Sequence, residues 1–253
     1  MTPSRPPSLL QERRLLRAGA RTVVGVDEVG RGSLAGPVTV GAVLVLPQTP
    51  TAPLGVRDSK ELPAAVREQL APKIQRWAPA AAVGHASATE IDVLGIIAAL
   101  RLAALRALEA LGEEVGAVLL DGSHDWLGHA GGALPEFPGC RVTTRVKADR
   151  DCSSVAAASV LAKVARDRIM GDLAVYHPAY HWDRNRGYAA REHLAALQEF
   201  GPSTQHRLSW QLPGVDLACL DRMQVPPQRT RRRFELGEQL VLLPDAQDAV
   251  PAG

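Results

Sequence analysis

Cysteine is scarce in this 253-residue chain. Cys140, Cys152 and Cys219 are an odd set of three, widely spaced. No disulfide framework or CxxC metal clip can be read from them, which points to a reducing, cytoplasmic setting. Charge imbalance is small as well. A formal net charge of +2 is too mild to argue for a nucleic-acid partner, so any basic surface has to be local. No apolar run reaches the roughly 18 residues that a membrane span needs. The opening MTPSRPPSLLQERRLLRAGA has arginines but lacks the apolar core of a signal peptide. There is no internal repeat and no HExxH. Among the seven histidines, His177 and His181 have i,i+4 spacing, but Pro178 spoils a regular helix there. A zinc site is disfavoured.

What is present is an ordinary globular composition, 46% hydrophobic and 22% charged, with enough length for one domain and a small appendage. Residues 1–20 read as a partly ordered arm, 21–213 as the folded domain including a helical C-terminal part, and 214–253 as an irregular, mobile tail. The tail's RTRRR run (Arg229 to Arg233) either adds salt-sensitive attraction to nucleic acid or is simply solvated. Val23 to Asp27 and Val38 to Leu46 read as buried strands, and the loop between them is short enough for antiparallel neighbours. Ser59 is a candidate cap for a helix running to Trp77. Ala81 to Ala88 is a weaker strand. Thr89 to Gly112 predicts one long helix, opened by Thr89 and Asp92 in a capping-box-like start and closed by Gly112. Strands follow at Ala117 to Gly122 and Arg141 to Lys147. Residues 125–139 are loop-like, a small-faced helix spans Ser153 to about Met170, and another begins near Ala190. An early meander followed by alternating strands and helices predicts an α/β fold, a mixed sheet with helices packed on its faces.

Two features carry chemistry. The first is the loop of Gly30, Gly32 and Gly36 after the first strand. It imitates a dinucleotide fingerprint, but Pro37 and a strand follow where that motif needs a helix, and no Gly-Lys-Ser/Thr ends it as in a P-loop. The second is the recurrence of acids at strand ends: Asp27 and Glu28, then Asp121, then Asp149 just past a third strand. Each has a plain reading, since Asp-Gly is a common turn and Asp149 could cap the next helix. Together they would be costly. Carboxylates about 4 Å apart repel by roughly 4 kcal/mol per pair at an effective dielectric near 20, so a gathered cluster needs cations. Oxygen ligands without His or Cys select hard ions, Mg²⁺ or Mn²⁺. Two such ions can serve an in-line phosphoryl transfer. Because adjacent strand residues face opposite ways, Asp27 and Glu28 can both reach the ions only if the strand ends or kinks there.

The ordered set VGVDEVGRGSLAGPV, RDSKEL, LLDG, KADRD with AAASVLAKVARDR, NRGYAAREH and HRLSW, spanning about Val23 to Trp210, resembles type 2 ribonuclease H, the ribonuclease HII family. The resemblance implies a ribonuclease H-like fold, with a mixed five-stranded sheet, flanking helices and a C-terminal helical extension. It implies hydrolysis of the RNA strand in RNA/DNA hybrids and incision at single ribonucleotides in duplex DNA, leaving 3′-hydroxyl and 5′-phosphate ends. Asp27, Glu28, Asp121 and Asp149 would be the catalytic, metal-binding acids. Gly30, Arg31 and Gly32 would read the ribose 2′-hydroxyl, with Tyr188 stacking on the sugar or base of the next nucleotide. Without the motif, Tyr188 reads as a half-exposed surface tyrosine. Lys60, with Ser59, is a candidate for the DNA backbone or a solvated lysine. Lys147, Lys163 and Arg166 either face phosphate or offset the acids, and His206 and Arg207 would support the site from behind. Val29 stands where the family usually has alanine, and Gly95 where it often has asparagine. A monomer is implied. The rival reading is a non-catalytic hybrid-binding protein of the same fold.

Overall fold

The computed structural model describes residues 6–215. Cys219, the Arg229 to Arg233 run and the rest of the tail past 215 lie outside the described residues. Five strands form one sheet: β1 Val23–Val29, β2 Val38–Val45, β3 Ala81–Ala86, β4 Ala117–Asp121 and β5 Arg141–Arg145, in the order β3-β2-β1-β4-β5. β1 pairs antiparallel with β2 and β2 with β3, whereas β4 runs parallel to β1 and to β5. The short loop after β1 imposes the first reversal. Reaching β4 takes two helices, α3 Ala88–Leu94 and α4 Ile96–Ala110, and such a crossover is what a parallel neighbour requires.

β2 is buried along its whole length, and its alternating residues divide two cores. Val38, Val40, Ala42 and Leu44 pack with Val24, Val26 and the small face of α4. On the other side Val43 meets α2, Ala64–Trp77, and α6, Ser153–Tyr176. α6 lies against the sheet at backbone contact. A Cβ built on Gly25 would fall 2.3 Å from Ser154 Oγ, and one on Gly41 would fall 2.3 Å from the carbonyl oxygen of Ala158. A third layer of packing joins the end of α6 to α7, Trp182–Asn185, and α8, Arg191–Phe200, through Met170, Leu173, Tyr180, Trp182 and Leu197.

Several expectations are revised. The predicted helix from Thr89 to Gly112 is two helices, because Gly95 takes φ 78° and interrupts the backbone. Its cap is Ser87, whose hydroxyl accepts from Glu90 N at 3.2 Å while the Glu90 carboxylate accepts from Ser87 N at 2.8 Å. Asp92 is instead buried and accepts from Leu208 N and Ser209 N, both at 2.9 Å, pinning the HRLSW segment to α3. Asp58, not Ser59, caps the turn at Ser59–Glu61, and α2 starts only after Pro63. The N-terminal arm contains a helix, α1 Leu10–Arg17. Its Glu12 is fully buried and accepts from the N–H and hydroxyl of Ser154 at 2.9 and 2.8 Å. The apolar periodicity of α1 is too short to announce this; the anchor is one long-range hydrogen-bond pair.

Gly41→Ala should destabilise the protein by about 1–3 kcal/mol, because the added methyl forces α6 off the sheet. Urea denaturation measures this, and an unchanged midpoint would mean that α6 can move away freely.

Candidate active site

β1 and β4 are parallel neighbours with Val26 opposite Leu120, so Asp27 and Asp121 follow at the same level. Alternation also gives them the same face. Val23, Ala117 and Leu119 pack with Val155 of α6, and Asp27 and Asp121 continue that side. Asp27 is 4% exposed, its Oδ1 accepts from Glu28 N at 2.9 Å, and Ser159 of α6 favours its ionised form. Its carboxyl is held well above the usual carboxylate range by burial first, then by the charges of Glu28 and Asp121. Asp121 is tied to the next element. Its Oδ1 accepts from Ala148 N at 2.7 Å and Asp149 N at 3.4 Å, capping the short helix α5, Ala148–Asp151. Asp149 therefore lies in α5 beside Asp121 and does not cap α6, whose preceding residue is Cys152. Burial, then Asp121, raises the Asp149 carboxyl.

Glu28 stands apart. β1 does not end or kink at Asp27; it continues to Val29. The Glu28 side chain thus leaves on the opposite face from Asp27 and meets Arg31 Nη1 at 3.8 Å. It still senses the cluster, since burial raises its carboxyl, Arg31 lowers it and Asp121 raises it further. Among the described residues, no group of three or more His, Cys, Asp or Glu is gathered closely enough to hold an ion as it stands. The chemistry of the donors nonetheless suits one: all are carboxylate oxygens, and burial with neighbouring acids disfavours the ionised forms of Asp27, Glu28 and Asp149 until a cation arrives.

The RDSKEL segment supplies the rim. Lys60 Nζ reaches Asp149 Oδ2 at 3.5 Å and Asp58 Oδ1 at 3.8 Å, while its side chain stays 72% exposed. Burial lowers the Lys60 ammonium's pKa, but Asp58, Asp27 and Asp149 outweigh it and leave it raised. Asp58, buried and close enough for its charge to raise the Asp149 carboxyl, is a fifth acid that strand-end reasoning passes over; its place as a cap before Ser59 was the available signal. Ser59 is turned inward. Its hydroxyl is 2.8 Å from that of Ser159 and the residue is 4% exposed, so it braces the partner of Asp27. Ser159 was legible only as one small residue on the α6 face.

The glycine loop is held from behind by two arginines, both 0% exposed. Arg207 donates to Gly30 O at 2.6 Å, Arg31 O at 2.8 Å and Gly36 O at 3.3 Å. Arg166 donates to Pro37 O at 2.8 Å, Ser33 Oγ at 2.7 Å, Ala35 O at 3.1 Å and Arg186 O at 2.9 Å. Arg166 therefore does not face phosphate. Lys163 is bound to Asp167, and Lys147 is exposed in a left-handed conformation ahead of α5. With its carbonyls drawn inward, the loop turns other groups out. Among the described residues no acceptor meets the N–H of Arg31 or Gly32, and a Cβ on Gly32 would find nothing within 4 Å. Tyr188, 37% exposed, is joined to this loop through Gly187 O, which accepts from Leu34 N at 2.8 Å, and its ring lies 5.5 Å from the Arg166 guanidinium carbon.

Residues 24–212, which include all of these groups, match the family model for ribonuclease HII. The chain belongs to the ribonuclease HII family. It is 48% identical over 209 residues to ribonuclease HII of Streptomyces avermitilis, covering 82% of this chain and 85% of that protein. It is 46% identical over 204 residues to ribonuclease HII of Cereibacter sphaeroides, covering 81% and 91%. Among solved structures, Pyrococcus horikoshii ribonuclease H2 superposes with a TM-score of 0.61 at 22% identity, over 80% of this chain and 98% of that one. Ribonuclease HII of Archaeoglobus fulgidus, solved as a complex with PCNA, gives 0.61 at 27% identity, over 78% and 99%. The fold is therefore ribonuclease H-like, and the ribonuclease HII family makes the chain an endoribonuclease. No helix among the described residues is long and apolar enough to cross a membrane.

A carboxyl with a raised folded pKa stabilises the fold below its unfolded value, about 4, and loses that contribution as pH rises through the folded value. In EDTA, Asp27→Asn should thus gain heat stability over the parent as pH rises above about 4. Mg²⁺ or Mn²⁺ at about 100-fold over Kd should raise the parent Tm by about 5 °C or more, and Asp27→Asn by much less. Differential scanning calorimetry reads both; equal metal shifts would remove Asp27 from the ion site.

Proposed function

We propose that this ribonuclease HII hydrolyses the RNA strand of RNA/DNA hybrids and incises duplex DNA at single embedded ribonucleotides, leaving 3′-hydroxyl and 5′-phosphate ends. One observation carries the reading: Asp27 and Asp121 lie level on adjacent parallel strands, directly followed by a loop whose carbonyls are clamped inward and whose Arg31 and Gly32 amides are open. Asp27, Asp121 and Asp149 would hold two Mg²⁺ or Mn²⁺ ions, with Glu28 joining them from the other face at the edge of the sheet and substrate phosphate completing the site. Such ions, when bound, offset phosphate charge and make water a better nucleophile.

The rest falls to the chain's own residues. RNA differs from DNA at one nucleotide by a 2′-hydroxyl, which both donates and accepts. The open amides of Arg31 and Gly32 suit its oxygen, and the absence of a side chain at Gly32 lets the backbone approach the sugar. A Cβ on Gly30 would fall 2.1 Å from Arg166 Nε, so that glycine makes room for the clamp. The Arg31 guanidinium, 47% exposed beside Glu28, can pivot to an adjacent phosphate. Tyr188 presents its ring next to the loop to stack on the following nucleotide. Lys60 reaches from the rim towards a DNA phosphate, while Ser59 supports the turn that carries it. The proposed acting form is a cytoplasmic monomer.

A duplex with one embedded ribonucleotide tests this, incubated with Mg²⁺, Mn²⁺ or EDTA. Incision at the ribonucleotide should require a divalent ion. Asp27→Asn and Asp121→Asn should each lose about three decades of rate, the equivalent of ~4 kcal/mol in the barrier, while remaining folded. Binding without cleavage under every ion would overturn the catalytic reading, and near-parent rates in both variants would overturn the acid assignment.

A further inference from the structure

Behind Tyr188 lies a buried histidine pair that the proposed chemistry does not use. His193 of α8 and His206 of the HRLSW segment are each 0% exposed, with their Nε2 atoms 3.0 Å apart. Their protons are fixed by three separate constraints. The Trp182 indole can only donate, and it points Nε1 at His193 Nε2 from 3.2 Å, so that nitrogen is an acceptor. The His193 proton must then be on Nδ1, which lies 2.8 Å from the carbonyl oxygen of Tyr188. His206 must in turn donate from Nε2, leaving Nδ1 bare, and Ser203 N–H donates to that bare Nδ1 at 2.9 Å. The chain of bonds closes without conflict only when both rings are neutral.

The pair joins the two loops that the proposed function assigns to substrate. At one end it holds the Tyr188 carbonyl, which among the described residues otherwise receives only Ala190 N at 2.7 Å. At the other, His206 directly precedes Arg207, whose guanidinium clamps Gly30 and Arg31. We propose that His193, backed by His206, is a positioning residue that fixes the Tyr188 backbone relative to the Gly30–Gly32 loop, so that the stacking ring and the sugar reader engage neighbouring nucleotides together. This rests on the reading of Tyr188 as a substrate contact. Burial agrees with neutral rings: it lowers the His193 imidazole, and with His193 nearby it pushes His206 down to about 3. The other groups facing the pair are Tyr180, whose hydroxyl donates to Gly201 O at 2.7 Å, along with His177 and Glu192.

The test has two arms. Long-range ¹⁵N–¹H NMR of the imidazoles in the full chain should show the Nδ1–H tautomer for His193 and the Nε2–H tautomer for His206; the opposite tautomer at His193 overturns the proposal. In the second arm, His193→Phe, Tyr188→Ala and the double variant are compared on the single-ribonucleotide duplex. A misplaced contact can cost up to about 100-fold, so His193→Phe is expected to lower kcat/KM about 10-fold, with little further loss on the Tyr188→Ala background. His193→Asn, which restores a donor near Nδ1, should recover most of the activity and carries the test if the Phe variant does not fold. An equal loss on both backgrounds marks His193 as merely structural and overturns the proposal alone. If Tyr188→Ala is itself harmless, the reading of Tyr188 fails and the proposal with it, whatever the tautomers.

Discussion

The backbone contact between α6 and the sheet is the constraint on which the other features depend. Gly25 and Gly41 remove the side chains that would hold the helix away, and Ser154 and Ala158 take that space. At this separation, each turn of α6 has a task set by its height along the strands. Ser154 receives Glu12 from α1. One turn on, Ser159 meets both Asp27 and the Ser59 hydroxyl. Two turns further, Arg166 arrives under the loop that follows β1. A close-packed interior transmits displacement instead of absorbing it, so moving α6 away by the width of a methyl group would shift the brace of an acid and the clamp of the loop together.

Charge is distributed in two populations that the small net charge conceals. At the rim, Arg31 and Lys60 are exposed cations beside acids, where such ion pairs contribute little. Behind the loop, Arg166 and Arg207 are buried and bound to carbonyls and a hydroxyl, with no carboxylate within ion-pair distance among the described residues. Burying a guanidinium without an anion is costly, and Arg207 shows it, pushed down to about 9 by burial first and Arg166 next. The return is orientation. A fan of donors beneath the loop draws its carbonyls inward, and the peptide planes of the Gly30 and Arg31 carbonyls, turned this way, leave the N–H groups of Arg31 and Gly32 open.

The fold was legible where local pattern and geometry coincide. The loop between β1 and β2 is too short for anything but reversal, and the apolar runs of β1 and β4 place acids at their ends. Motif resemblance supplied Arg31 and Tyr188, which composition would leave on the surface. What remained illegible is long-range or hidden by continuous pattern. Leu94, Ile97 and Leu100 keep a helical stripe across Gly95, so nothing in the periodicity reveals the break; only φ does. Ser59 reads as a free hydroxyl near a lysine until Ser159, 100 residues away, is placed against it. Asp92 looks like part of a cap, but its partners lie over 100 residues on.

Glu28 follows from the same geometry. Asp27 pairs in register with Gly41, and Val29 with Thr39, so β1 has no bulge that would rotate Glu28 to the face of Asp27. Asp27 and Asp121 therefore share one face, with Asp149 beside Asp121, and Glu28 leaves on the other face, where Arg31 Nη1 lies 3.8 Å away. On the proposed reading, such a divided set grips a cation weakly alone and leaves much of its coordination to phosphate oxygens. Arg31 then links two requirements: swinging to an adjacent phosphate releases Glu28 from its ion pair. On the same reading, arrival of a nucleotide at the loop would free Glu28 of its partner, while the face that Glu28 occupies stays set by the unbroken register of β1.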